Sequence, residues 1–281
     1  MIHIVKPTLS VVDVFADCIS NFRDTALITR LQSISTYIHD ETNNYDSLAL
    51  NNNIYQILTT TTVNGIVTKK DMVKVYEKKL VPKGEVGRSH YEYLRSLAEY
   101  NICPLCNQRT VTTLDHVLAK TDYPTFAVSP INLIPACIDC NKIKLASYSP
   151  TSSEEEILHP YYDDISDEQY LVATVNEENP SSITFNIKSS IPETVMEKRL
   201  KVHFKLFALN ELYIANSAKH LANINFKLDK LYASSGKDAI KKYLQEEFES
   251  RYYNNKNSWE TAFYEALYKS DWFCDGGFKI E

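Results

Sequence analysis

The sequence predicts an α+β fold: a ββα core that holds a metal, closed by a four-cysteine zinc site and flanked by mostly helical N- and C-terminal regions. Three observations carry that prediction. Two CxxC pairs, Cys103 with Cys106 and Cys137 with Cys140, have thirty residues between them. Zn²⁺ takes four thiolates tetrahedrally, and each short pair forms a tight knuckle. Around the second pair the order reads β-type run, loop, β-type run, helix. Elsewhere apolar residues recur at three- and four-residue steps, the period of a helix with one buried face. Three regions follow: residues 1–88, mainly helical; residues 89–165, the cysteine-bearing domain; and residues 166–281, a β-hairpin followed by helices.

Along the chain, Leu9, Val12, Phe15 and Ile19, then Leu27, Leu31, Ile34 and Ile38, predict helices over residues 8–40. The Asn-rich stretch 43–53 reads as a loop. A helix over 69–80 should stop at the breaker cluster Val81-Pro82-Lys83-Gly84. Ser89 and Glu92 have the spacing of a capping box, opening a helix through Tyr91, Leu94, Leu97 and Ala98 that leads into the first knuckle. Residues 170–174 and 183–187 alternate like two strands around a polar turn, a hairpin signal. The remainder, to about residue 270, is helical, with Leu200, His203, Phe204, Phe207 and Ala208 on one face and Ile240, Tyr243 and Leu244 on another.

With 281 residues and 44% hydrophobic content, the chain can bury a substantial core. The N-terminus is too short and too broken by charge and proline to read as a signal peptide, and no apolar run approaches a bilayer span. Four of six cysteines sit in knuckles, which favours metal binding in a reducing compartment over disulfides. The chain is therefore expected in the cytoplasm. Cys18 and Cys274 read as incidental thiols. Only six glycines occur, with no P-loop or GxGxxG pattern, so nucleotide hydrolysis is not expected.

Net charge is −6, unusual for a chain that grips a polyanion, yet it is unevenly spread. Residues 68–88 carry seven basic residues against three acidic, and 194–242 carry ten against four. Residues 89–165 carry five basic against ten acidic. Basic segments thus flank an acidic centre. They read either as solvated helix faces or as a track for phosphates.

In the centre, residues 111–114 form a β-type run that ends on Asp115-His116. Leu133-Ile134-Pro135-Ala136 reads as the returning strand, with Asn132 at its start, and a helix beginning at Cys140 carries Asn141 and Lys144. The residue types suit phosphodiester hydrolysis. Asp115 and Asn141 offer hard oxygen ligands of the kind Mg²⁺ prefers. His116 can take a proton from water near neutral pH. Lys144, one helical turn after Asn141, is placed to neutralise charge developing at phosphorus.

These residues carry a resemblance. Thr113-Leu-Asp-His116, Tyr123-Pro-Thr-Phe-Ala-Val-Ser-Pro130, Asn132-Leu-Ile-Pro135, Cys140-Asn141-Lys142 and Leu158-His-Pro-Tyr-Tyr-Asp163 follow in the order of an HNH (ββα-metal) endonuclease of the zinc-knuckle type. Leu80-Val-Pro-Lys83 and Gly87-Arg88 extend the match backward. The longer set is similar to the HNH nucleases of Septu-type and retron-linked anti-phage systems. The resemblance implies His116 as general base, and Asp115 and Asn141 as ligands of a catalytic Mg²⁺ or Mn²⁺. Asn132 would either orient the base or pin the ββ loop. It also implies a DNA substrate, an ATPase partner protein and a role in phage defence. Asparagine stands at 141, where the family name has histidine, and remains an oxygen ligand. The match leaves residues 1–65 and 166–281 unassigned.

Alternatives remain beside it. A stand-alone restriction-type nuclease would need no ATPase. A zinc-binding interaction subunit of a defence complex would explain the cysteines but not Asp115-His116 or Asn141. His159 is either a phosphate-contacting group or a packed histidine, and the remaining histidines read as ordinary. Apolar helical faces outside the centre would serve partner docking, a contact between copies of the chain, or simple core packing.

Overall fold

The computed structural model describes residues 1–145, 148, 150–190 and 192–279. It is mixed α+β and mostly helical, and it divides into two compact units, Met1–Asp164 and Ile165–Glu281.

The first unit begins with α1 (Val11–Ile19), α2 (Thr25–Ser33) and α3 (Ser35–Leu50). Ser10 and Asp24 cap the first two by accepting from Asp13 N and Leu27 N, which satisfies amides that have no partner within the helix. α3 corrects the loop expected at 43–53, because it runs through the asparagines to Leu50. Tyr45 and Ala49 are buried, and that packing outweighs the poor helix propensity of asparagine. A two-residue ladder, β1 (Thr62–Val63) with β2 (Val67–Thr68), leads into α4 (Lys69–Val75). α4 continues as a π-helical turn over Tyr76–Leu80.

α5 (Arg88–Ser96) follows, without the expected capping box: Gly87 holds the N-cap position, and the Ser89 hydroxyl donates to Val86 O. Glu92 instead pairs with Arg88 and Arg95. Gly87 has a steric cause. A Cβ there would come within 2.6 Å of Lys79 O and 2.7 Å of Cys18 Sγ, so only glycine lets the chain pass this close.

The antiparallel hairpin of β3 (Thr113–His116) and β4 (Leu133–Ala136) pairs Asp115 with Ile134 and His116 with Leu133. α6 (Ile138–Leu145) follows directly. One apolar cluster runs from Val11, Phe15 and Leu31 through Met72, Leu80 and Leu94 to Leu114, Val128 and Leu133. For that reason the helical N-terminal region is not separate from the cysteine-bearing region. The cluster takes residues from both sides of the expected boundary between residues 88 and 89.

In the second unit β5 (Leu171–Asn176) and β6 (Ser182–Ile187) form the expected hairpin. α7 (Val195–Leu206) opens with a capping box of Thr194 and Glu197. α8 (Leu209–Asn254) is interrupted at Gly236, whose φ of 69° and ψ of −164° are not helical. Lys227 Nζ lies 3.6 Å from the centre of the Tyr243 ring. In a straight helix sixteen residues span about 24 Å, so α8 folds back on itself as a helical hairpin. α9 (Trp259–Lys269) packs on it through Phe263, Tyr264 and Leu267. Asn257, buried at the turn before α9, accepts from Tyr170 N and Leu171 N and donates to Ile165 O and Glu168 O.

Among the described residues, no helix is long and apolar enough to cross a membrane.

Candidate metal cluster and active-site cleft

The four cysteines gather as their spacing requires. Cys103, Cys106, Cys137 and Cys140 are buried, and their sulfurs all lie within 4.8 Å of one another. Zinc–thiolate bonds of about 2.3 Å in a tetrahedron need sulfur separations of about 3.8 Å, so small side-chain shifts close the cage on one ion. The knuckle geometry is local. Asn107 turns the chain with a φ of 51°, a conformation asparagine tolerates where glycine is absent. Arg109 N donates to Cys106 Sγ and Cys140 N to Cys137 Sγ, each at 3.4 Å. Hydrogen bonds among the four sulfurs split their acidities, with Cys106 and Cys137 lowered, Cys137 to about 7, and Cys103 and Cys140 raised. Arg109 stands beside the sulfurs and pairs with Asp139 at 3.1 Å, a cation suited to the net negative charge of a four-thiolate zinc site.

Beside the cluster, a cleft of about 330 Å³ is lined by residues from several elements, among them Tyr76, Glu77, Asp115, His116, Lys120, Asn141 and Lys144. β3 and α6 meet here: Asn141 Nδ2 donates to Leu114 O at 3.4 Å. His116 is buried, and its Nε2 donates to Ala127 O at 2.9 Å. Because a carbonyl only accepts, the ring proton sits on Nε2 and Nδ1 carries the basic lone pair. Burial pushes His116 down to about 3, and the charges of Lys120 and Lys144 push the same way. The imidazole is therefore neutral at pH 7. Tyr76 packs edge-on against it, with ring centres 4.4 Å apart.

Asp115 and Lys144 form a buried pair. Lys144 Nζ lies 3.1 Å from Asp115 Oδ2, both side chains being almost wholly buried. Burial raises the Asp115 pKa and lowers that of Lys144, and the charge of each opposes the shift in the other. Lys144 also donates to the backbone carbonyls of His116 and Val117. Its side chain is only 4% exposed. In this structure the ammonium is taken up by Asp115 and these carbonyls, where the sequence reading placed it on the substrate phosphate. The ammonium sits beneath the strand as the counter-charge of Asp115, because α6 packs directly on β3.

Asn132 is wholly buried. Its Oδ1 accepts from Leu118 N at 2.8 Å, and its Nδ2 donates to Leu118 O and Phe126 O at 3.0 and 3.1 Å. Of the two roles expected for it, the contacts are those of a pin for the ββ loop. That loop also carries Ala127, so Asn132 reaches His116 only through the backbone it positions. His159 is a packed histidine: Tyr161 N donates to its Nδ1, Tyr45 OH lies 3.1 Å from its Nε2, and it does not line the cleft.

Sequence reasoning missed Tyr76, Glu77 and Lys120. The first two were legible only as part of a basic flanking run, and nothing in their spacing ties them to His116. The exposed lysines of that run, Lys69, Lys70, Lys74 and Lys78, stand on α4 and the π turn, which supply Tyr76 and Glu77 to the cleft.

No family model and no solved structure matches this chain. It is 31% identical over 236 residues to Protein ea31 of Escherichia phage lambda, an alignment covering 77% of this chain and 78% of that protein. With similarity that extends across most of both chains, this protein belongs to the family of lambda ea31.

Proposed function

We propose that the chain is a metal-dependent endonuclease of the HNH type that hydrolyses DNA phosphodiester bonds, and that it serves as the nuclease effector of a bacterial anti-phage system. The observation that supports this most is the cleft itself. A neutral histidine with one free ring nitrogen, a buried carboxylate and an asparagine amide stand together where a β-hairpin meets a helix. The four-cysteine cluster stands at the base of the same hairpin and helix.

In this reading His116 Nδ1 takes the proton from the attacking water. The Ala127 carbonyl holds the opposite nitrogen as the donor, which fixes the tautomer and the ring. A bound phosphodiester is anionic and raises the His116 pKa from its value in the free chain. Asp115 and Asn141 would hold Mg²⁺ or Mn²⁺, which supplies Lewis-acid stabilisation of charge on the phosphate and the leaving oxygen. The Asp115 carboxylate lines the cleft, and a bound Mg²⁺ or Mn²⁺ would share it with the Lys144 ammonium beside Oδ2. The zinc held by the cysteines is structural.

The biological setting rests on the resemblance, which brings an ATPase partner protein with it. The source of the relative, a phage, favours a second reading, a stand-alone nuclease that works without a host partner. In a third reading the chain is a zinc-binding interaction subunit; it leaves the Asp115 and His116 cleft without a task. The test is cleavage of plasmid, single-stranded DNA and tRNA with Mg²⁺ or Mn²⁺, with and without the neighbouring operon protein. Metal-dependent cutting of DNA that is lost in His116→Ala is expected. Equal cutting by His116→Ala sinks the mechanism, and rapid unassisted cutting at physiological salt selects the stand-alone reading.

A further inference from the structure

We propose that Lys120 is the cation that binds the substrate phosphate in this cleft, held in place by Glu77 and Tyr76 from the π-helical turn. The proposal rests on the nuclease reading above and deepens it. Two lysines line the cleft among the described residues, Lys120 and Lys144. Lys144 is committed to Asp115 and to two backbone carbonyls. An ammonium so enclosed cannot turn to a ligand without leaving Asp115 uncompensated, which costs several kcal/mol. Lys120 is free of such ties. Its side chain is 22% exposed, and its carboxylate partner, Glu77 Oε1, is 3.7 Å away and itself half exposed.

The position suits an anion near the reacting groups. Lys120 stands in the loop between β3 and β4, four residues after His116. Its Nζ lies 5.3 Å from the centre of the Tyr76 ring, and that ring stands against His116. Its charge acts on both His116 and Asp115. Lys120 and His116 thus both stand against the Tyr76 ring and both line the cleft. The wider turn of a π-helix places Tyr76 and Glu77 together on the wall of the cleft, and such turns recur at functional sites. A weak, solvent-screened ion pair with Glu77 holds Lys120 until a phosphate replaces the carboxylate.

The experiment measures binding of a 20-base-pair DNA duplex and of a single strand to the full zinc-loaded chain with no added Mg²⁺ or Mn²⁺, by fluorescence anisotropy across a salt series. Lys120→Met should weaken binding roughly tenfold and reduce the salt dependence by about one phosphate contact. Lys120→Arg should restore it. Glu77→Gln should tighten binding severalfold, the opposite direction, which no loss of folding produces. Unchanged affinity and salt slope in Lys120→Met, or weaker binding in Glu77→Gln, overturns the proposal. So does a chain that binds neither duplex nor strand at the lowest salt. The nuclease reading fails separately: binding that depends on Lys120 in a chain that cuts no nucleic acid with Mg²⁺ or Mn²⁺ keeps the anion site and removes the reaction.

Discussion

The cysteine cluster and the cleft share one hairpin and one helix, with Cys140 and Asn141 adjacent on α6, yet they are built in different ways. The cluster draws on two short segments whose internal spacing already forms each knuckle. The cleft draws on the π turn, α5, β3, the ββ loop and α6, and no pair of them is preorganised by the chain itself. In the cluster each group points at one ion. In the cleft a lysine pairs with a carboxylate, a carbonyl fixes a histidine, and a tyrosine packs against that histidine and a second lysine. A site of the first kind holds the structure together, whereas the second kind needs the structure to be held. Breaking the cluster should therefore remove both, and breaking the cleft should leave the cluster intact.

The largest expected effect comes from Cys137→Ser. Zinc binding free energy in such sites is folding free energy, on the order of 10 kcal/mol, so the first unit should lose its cooperative melt together with its zinc. A Cys137→Ser chain that melts like the unmodified one, alongside an unmodified chain that contains no zinc on metal analysis, would break the comparison at its root. His116→Ala should act on the cleft alone. A lost general base lowers single-turnover cleavage by roughly 10²- to 10⁴-fold, while zinc content and circular dichroism stay as they were. Loss of zinc in that variant would show the two regions to be one.

Lys144→Met tests whether the buried ammonium is structural. It leaves the buried Asp115 without its counter-charge, and urea unfolding should register a loss of about 3–5 kcal/mol. The double variant Asp115→Asn with Lys144→Met should recover much of that stability, without activity. Stability close to the unmodified chain in Lys144→Met would return the lysine to the substrate. Asn132→Ala should be smaller, about 1–3 kcal/mol for buried backbone groups left unpaired at Leu118 and Phe126. Amide exchange should quicken through residues 117–131 while the cysteine knuckles stay protected. Faster exchange at the knuckles instead would mean the loop and the cluster share their stability.

Asn257 in the second unit does for residues 165–171 what Asn132 does for the ββ loop, with a buried amide pairing otherwise unsatisfied backbone. The resemblance offered the loop pin as one of two roles for Asn132, whereas that of Asn257 was not legible, since an asparagine in a polar stretch reads as a turn residue until its burial is known. The same blindness made residues 43–53 a loop, where Tyr45 and Ala49 fasten a helix to the core. It also lent Ser89 and Glu92 a capping box that a tightly packed Gly87 replaces.

Local pattern was enough, by itself, for the four-cysteine cluster, the β3–β4 and β5–β6 hairpins, the helical flanks and the candidate pair Asp115 and His116. Each depends on spacing within a few residues, or on ligand chemistry that only one arrangement satisfies. Tertiary structure alone decided what the charges do. Lys144 and Lys120 are the same residue type, and both line the cleft. One is buried against Asp115 because α6 packs on β3, and the other stays at the rim because its loop folds toward Glu77 and Tyr76. A charge takes its role from the groups and the solvent around it, and those are set by contacts between segments that the sequence keeps far apart.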